Sequence, residues 1–101
     1  MESRLKLQIL LEFILGNRNV YYQPPSSIRM SYPAIVYSRN NIDNSHADNS
    51  IYKQEKSYNI TVIDEDPDSD IVNKISKLPR CRFDRHYTSD NLNHDSFTLY
   101  F

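Results

Sequence analysis

The 101-residue sequence predicts an α+β domain in which two helices pack on an antiparallel or mixed β-sheet. Three observations carry this prediction. A helical hydrophobic period opens the chain, apolar and polar residues alternate along 51–63, and a shorter helical stripe separates that strand from two C-terminal strands. The predicted order is α-β-β-β-α-β-β. A chain of this length buries one core, so we expect residues 1–101 to form a single domain.

The first helix is predicted over residues 3–15. Its core-facing stripe has the spacing i, i+3, i+4 and i+7 and consists of Leu7, Leu10, Leu11 and Ile14. Ser3 is placed to cap the first turn, and Gly16 follows where a left-handed residue closes a helix. Ile9 and Phe13 add apolar surface beside this stripe. Such a helix lies in the core, or is held between its own sheet and a neighbouring subunit.

Three strands are expected next. The first covers 20–23 and stops at two consecutive prolines, because proline cannot continue a strand ladder. The second covers 34–37 and follows Pro33. Residues 40–50, NNIDNSHADNS, have no periodicity and are rich in Asn, Asp and Ser, which predicts an exposed loop. The third strand covers 51–63, and its alternation assigns one face to the core. That face carries Tyr58, Ile60 and Val62.

The segment 63–75, IDEDPDSDIVNKI, raises the question of a calcium site. Alternate aspartates from Asp64 onward match the first three ligand positions of a helix–loop–helix calcium loop. The sixth position is Ser69 rather than glycine, and the twelfth is Ile75 rather than a bidentate glutamate. The sequence therefore favours a helix start over a calcium loop.

The second helix is predicted over about 67–78. Asp66 is placed to cap it, and Pro67 suits its first helical position. Asp68 and Asp70 then lie beside the positive end of the helix macrodipole. The core-facing stripe of this helix consists of Ile71, Val72, Ile75 and Leu78.

Two strands close the chain, and they contain the cysteine and two of the histidines. Cys81, Phe83 and Tyr87 are predicted to share the core face of the first of these strands. Asp84 and His86 then share the opposite face, so a thiol–imidazole pair is not expected. The last strand covers residues near the C-terminus, with an apolar face made of Phe97, Leu99 and Phe101.

Neither a catalytic constellation nor a cofactor site is predicted, and the protein is not expected to be an enzyme. The single glycine excludes the glycine-rich loops that cradle phosphates. His86 and His94 have no third ligand at the spacing of a zinc site, so no metal is expected. A lone cysteine favours a reducing compartment, and no apolar run reaches the length of a membrane span.

The charge is small overall but unevenly distributed. Net charge is −1, which argues against a protein that binds nucleic acid by neutralising phosphates. Residues 41–70 hold eight acids and two bases, whereas 71–101 hold five bases and three acids. Chains with an acidic and a basic region can associate head to tail, although a solvated surface explains the same pattern. A small basic patch formed by Arg80, Arg82 and Arg85 is expected to meet carboxylates, of which Asp84 and the acidic residues of 64–70 are candidates.

The blocks LLEFILG, VYYQPP, SYPAIVY, YNITVIDEDPDSDIVNKISKLP and CRFDRHYTSDNLNHDSFTLYF follow one another along nearly the whole chain. In this order they resemble the small tail terminator or tail completion proteins of long-tailed phages and prophages. The resemblance implies a structural virion protein, assembled in the host cytoplasm. Such proteins form a ring, usually of six subunits, on the head-proximal end of the tail tube, where the ring stops tube polymerisation and docks neck proteins.

The resemblance also implies the partners of the chain: other copies of itself, the tail tube protein and a stopper or connector of the neck. DNA would pass through the ring without sequence-specific recognition. A neighbouring neck role, as stopper or head–tail connector, is the close alternative, and a small enzyme is a weaker one. The loop 40–50 is either a contact segment or solvated. The predicted interface residues are Asp43, Asn44, His46, Asp48, Asn49, Arg80, Arg82 and Arg85.

Overall fold

The computed structural model describes the backbone of residues 2–25, 27–47 and 50–101, and the side chains of 4–25, 27–40 and 56–101. Two helices and five strands follow one another in this part of the chain. They are α1 Glu2–Leu15, β1 Val20–Tyr22, β2 Ala34–Ala47, β3 Ser50–Asp64, α2 Asp70–Ser76, β4 Cys81–Ser89 and β5 Leu92–Tyr100. The predicted α+β class and the order α-β-β-β-α-β-β are confirmed.

The five strands form one mixed sheet with the spatial order β1-β2-β3-β5-β4. Only β1 and β2 pair in parallel, and the other neighbours are antiparallel. The central strand β3 places Tyr58 opposite Leu99 and Ile60 opposite Phe97, all four of which are buried. Both helices contribute to the same core cluster as these residues, so α1 and α2 cover one face of the sheet.

Helix α1 packs as its hydrophobic period predicts. Leu7, Leu11 and Leu15 are buried, and the other two members of the stripe pack against the core cluster. Gly16 has φ +83°, and its N–H donates to the Glu12 carbonyl at 2.9 Å, which closes the helix as expected. The predicted cap is wrong, because the helix begins one residue before Ser3.

The predicted loop at 40–50 is wrong, because β2 continues to Ala47 and β3 begins at Ser50. The ladder passes through this segment with Ile42 opposite Lys56 and Asp43 opposite Glu55. Two register shifts, at 39–41 and 45–46, interrupt the alternation that would mark a strand in the sequence. Cross-strand pairing therefore overrides the low strand propensity of Asn, Asp and Ser.

The outer part of this hairpin extends beyond the rest of the sheet. Strand β5 pairs with β3 only at residues 57–64, and β1 pairs with β2 only at 35–37. Residues 41–47 and 50–56 consequently form a two-stranded ribbon, and none of the other described strands pairs with it. Seven residues of strand span about 23 Å, which contributes to the 51 Å longest dimension of the molecule. We call this segment the ribbon.

Helix α2 is shorter than predicted and begins later. Its N-cap is Ser69, whose hydroxyl accepts a hydrogen bond from the Ile71 N–H at 3.3 Å. Asp66 is not the cap. Its side chain accepts from the Asp68 N–H at 2.9 Å, and Asp64 accepts from the Asp66 N–H at 3.1 Å. Local side-chain-to-backbone bonds of this kind hold a turn in place of a helix. The predicted core stripe is confirmed, with Ile75 fully buried.

Strand β4 departs from the predicted alternation at a β-bulge. Phe83 pairs with Phe97 and Arg85 with Ser96, so Asp84 is the extra residue. Cys81 and Phe83 lie on the helix-covered face, as predicted. Beyond the bulge the alternation is reversed: His86 pairs with Asp95 on that face, and Tyr87 turns to the opposite one. The predictions for Tyr87 and for a shared Asp84–His86 face are therefore wrong.

We predict that Ser69→Ala lowers the free energy of unfolding by about 1 kcal/mol, because the substitution removes the N-cap of α2. Asp66→Ala is the matched control, since it removes an exposed turn contact, and its expected cost is below about 0.5 kcal/mol. Urea denaturation followed by circular dichroism measures both. A larger loss for Asp66→Ala than for Ser69→Ala would contradict the assignment of the cap.

Candidate interaction surfaces

Helix α1 carries a second apolar surface on the side away from the core. Leu5, Ile9 and Phe13 follow one another at intervals of four residues, so they lie on one helical face. Their exposed fractions are 52%, 67% and 83%. We call these three residues the apolar row. Contiguous exposed apolar surface of this kind marks a contact site more often than isolated apolar residues do.

A cationic pocket lies between the first turn of α1 and the strands β1, β2 and β3. Its volume is about 490 Å³, and it is lined by Arg4, Tyr22, Arg39, Lys56 and Tyr58. Tyr58 is buried at the base, whereas Arg39 is exposed at the mouth. The guanidinium carbon of Arg4 lies 4.8 Å from the centre of the Tyr22 ring. The ring face therefore helps to hold Arg4 at the pocket wall.

Burial changes the pKa of two tyrosines in this region in the same direction. Burial raises the pKa of Tyr58, and the positive charges of Arg39 and Arg4 oppose that rise. Burial likewise raises the pKa of the neighbouring Tyr37, against the influence of Arg4. The Tyr37 hydroxyl donates to Gln8 Oε1 at 2.5 Å. An anion that enters the pocket meets three basic side chains and the hydroxyl groups of two tyrosines.

Sequence reasoning missed this pocket, because its bases come from three elements far apart in the chain. Arg4 belongs to α1, Arg39 to β2 and Lys56 to β3. One signal was present in the sequence. Lys56 continues the alternation of Tyr58 and its apolar successors, which places a lysine on the core-facing side of a strand.

The three arginines of the predicted basic patch each contact a different local partner. Arg82 Nε donates to Asp84 Oδ1 at 3.2 Å, and the Thr98 hydroxyl donates to the other oxygen of Asp84 at 2.6 Å. Arg80 lies over the Tyr100 ring at 5.3 Å, and Arg85 lies over the Tyr87 ring at 4.8 Å. Asp84 is thus a local partner of the patch, as anticipated. The interface role of Arg80, Arg82 and Arg85 stays a prediction.

The other predicted interface residues belong to the hairpin. Asp43, Asn44 and His46 lie in β2 along the ribbon, where they pair with Glu55, Gln54 and Ile51. Their backbone is described, whereas their side chains are not. Asp48 and Asn49 lie outside the described residues. The described backbone around Asp43, Asn44 and His46 pairs β2 with β3 and not with β4, so strand pairing does not place these three positions beside the arginine patch.

The bulge in β4 creates one close pair of titratable groups. His86 Nδ1 lies 2.8 Å from Asp95 Oδ1, and Asp95 is buried. Cys81 is not part of this pair, because it lies opposite Leu99, four residues along β5 from Asp95. That separation is about 13 Å. His94 also stands apart, since its ring stacks on Tyr87 at 4.7 Å.

The described residues include no group of three or more His, Cys, Asp or Glu side chains arranged to hold a metal ion. Within residues 64–70, Asp64 and Asp66 each direct an oxygen to a backbone N–H of the turn. These two carboxylates hold the turn before α2, and of the aspartates predicted to begin the helix only Asp70 lies in its first turn. Neither described helix is long and apolar enough to cross a membrane.

We predict that Cys81 is alkylated slowly near neutral pH, because burial and then the charge of Asp84 raise the pKa of its thiol. The rate measured with iodoacetamide should keep rising with pH beyond 9.0, the ordinary cysteine pKa, where the rate for an ordinary thiol levels off. Asp84→Asn should increase the rate at a given pH, and the difference should vanish in urea. Alkylation at neutral pH as fast as in the unfolded chain would contradict the prediction.

Comparison with known proteins bears on the identity of the chain. Neither the family models, nor the characterised proteins, nor the solved structures give a significant match. The features that bear on function are therefore the surfaces of this molecule: the apolar row, the cationic pocket and the ribbon.

Proposed function

We propose that this protein is a structural subunit of a phage virion. It associates with copies of itself into a ring at the head-proximal end of the tail tube, ends tube polymerisation there and joins the tail to the neck. The observation that carries the proposal is the apolar surface on both sides of α1. One side is buried in the domain core, while the apolar row faces outward.

The apolar row supplies a driving force for association. Full burial of a leucine, isoleucine or phenylalanine side chain contributes about 1.5–3 kcal/mol. Leu5, Ile9 and Phe13 are more than half exposed, so a neighbour that covers them gains most of this amount at each. Association itself costs at least about 4 kcal/mol of lost freedom. The row offsets that cost but leaves modest affinity, so a stable ring requires further contacts.

The ribbon supplies such contacts. A two-stranded ribbon with no third strand is marginally stable in water. Its outer edges present backbone groups that a neighbouring subunit can pair with, which is the usual route of β-strand addition. Asp43, Asn44 and His46 lie along this segment, so the proposal keeps them as interface residues. An arm that reaches from one subunit to the next generates a ring when the rotation between subunits closes.

The sequence blocks quoted above support the specific place in the virion. A stopper or head–tail connector of the same neck remains the alternative, because these proteins share size and the need for a ring. The same surfaces serve either role. What differs is the partner on each side of the ring: tail tube on one side for a terminator, and other neck proteins on both sides for a stopper.

We predict that Ile9→Ser combined with Phe13→Ser converts the oligomer into monomers, because it removes the most exposed members of the apolar row. Lys6→Ser on the same helix is the matched control and should leave the oligomer intact. Mass photometry and light scattering measure the mass, with six 12.0 kDa chains expected for the wild type. Both variants should keep the wild-type circular dichroism spectrum. A wild type that is monomeric at every concentration would overturn the ring.

A genetic experiment separates the two neck roles. Deletion of the gene from the phage that carries it should give tail tubes of abnormal length under the electron microscope. Loss of a stopper instead gives finished tails and heads that leak DNA. Complementation with the wild-type gene should restore normal particles, while the variant with serine at 9 and 13 should not. Normal tubes in the deletion would contradict the terminator role.

A further inference from the structure

We infer that the cationic pocket receives the acidic turn of a second copy of this chain, which joins subunits head to tail. The acidic turn comprises Asp64, Glu65, Asp66, Asp68 and Asp70. This inference rests on the self-association in the proposed function and names the groups that meet. The basic partner of the acidic residues is then the cationic pocket and not the arginine patch that the sequence suggested.

Among the residues whose side chains are described, no carboxylate forms an ion pair with a base of the pocket. The ion pairs of the residues whose side chains are described join Arg82 to Asp84 and His86 to Asp95. Neither involves the three bases of the pocket. Arg4 and Lys56 are half-buried, so part of their hydration is already lost in the free subunit. A carboxylate that enters gains more from charges held in place this way than from fully solvated ones.

The arginine patch offers less to an acidic partner than the pocket does. Arg82 already faces Asp84, and the guanidinium groups of Arg80 and Arg85 lie over tyrosine rings. Asp84 would also repel an incoming carboxylate. The pocket instead combines three cations with the hydroxyl groups of Tyr22 and Tyr58, which can donate hydrogen bonds to an anion.

The acidic turn has a defined shape in the free subunit. Two aspartate side chains bond to backbone N–H groups two residues ahead, and Ser69 caps the helix that follows. Asn93 Nδ2 donates to the carbonyl oxygens of Asp64 and Glu65, at 3.3 and 3.2 Å. The turn is exposed except for Ser69 and part of Asp64. A segment that is already ordered loses little freedom on binding.

The geometry of β3 prevents the two surfaces from meeting within one chain. Lys56 lines the pocket from the middle of β3, and Asp64 ends the same strand eight residues later. Eight residues of strand span about 26 Å. The subunit thus carries positive charge beside the middle of its central strand and negative charge at the C-terminal end of that strand. Contact between these two different surfaces on neighbouring subunits is head to tail, and such contacts close into rings when the rotation permits.

A charge-swap experiment tests the inference. One variant reverses the charge of the pocket (Arg39→Glu with Lys56→Glu). Another reverses the charge of the turn (Glu65→Lys, Asp68→Lys and Asp70→Lys), leaving the bonded Asp64 and Asp66 unchanged. Each alone should weaken self-association at least about tenfold, equivalent to about 1.4 kcal/mol. The five substitutions together should restore the oligomer. An equimolar mixture of the two variants should also restore it, with the variants alternating, because each reversed surface then meets its complement on the other variant.

Two controls show that weaker self-association does not result from unfolding or from the change in net charge. Arg18→Glu with Arg29→Glu changes the net charge by the same amount as the pocket variant does, but at two exposed positions outside the pocket. This control should leave the oligomer intact. Circular dichroism verifies that each variant is folded. Higher salt should weaken the wild-type oligomer but not abolish it, since screening acts on the charges and not on the apolar row.

The possible results are distinguishable. A wild type that is monomeric at every concentration overturns both this inference and the proposed ring. A wild-type oligomer that persists in both charge variants overturns only the inference. The inference is also overturned if the pocket variant loses binding to double-stranded DNA while its self-association is unchanged. Restoration of the oligomer, both by the combined substitutions and by the mixture of the two variants, supports the head-to-tail contact.

Discussion

The structure depends on the burial of one face of β3. Tyr58, Ile60 and Val62 are almost fully enclosed between the helices and the strands on either side. Because side chains alternate along a strand, a slip of one residue would expose all three and bury polar neighbours. The register with β2 and β5 is therefore fixed, and with it the position of each end of β3. One end enters the ribbon and the other enters the acidic turn, so the core determines where both charged surfaces lie.

The fold class was predictable because its signals are local and repetitive. The helical period around Leu7 and the alternation around Ile60 each describe an element that buries one face. The hairpin was not predictable in the same way, since its strand is formed by Asp43 and Asn44 pairing with β3 and is interrupted by register shifts. Strand pairing leaves no periodic trace in the sequence when the residues are polar and register shifts interrupt the alternation.

Sequence periodicity also fails to predict the positions of single residues on the candidate surfaces. One inserted position, Asp84, reverses the alternation of β4 and brings His86 to Asp95, which a strict period of two places on opposite faces. Ser69 caps α2 because the aspartates before it are bonded to backbone groups of their own turn. The cationic pocket depends on three elements converging, so only the position of Lys56 on the core-facing side of β3 hinted at it. Bulges, turns and convergence are properties of the folded chain.

The apolar row and the charged surfaces contribute differently to assembly. Apolar burial is non-directional and roughly proportional to area, so Leu5, Ile9 and Phe13 favour contact without specifying its orientation. Charge complementarity is directional, and like-charged ends that approach each other are repelled. Arg4 and Leu5 are adjacent in α1, so the pocket and the row belong to neighbouring parts of one surface. A neighbour that covers the row with its acidic turn near Arg4 gains both apolar burial and charge attraction. In the opposite orientation it gains only apolar burial. The core of the subunit thereby sets a polarity that a closed ring requires and a symmetric dimer does not.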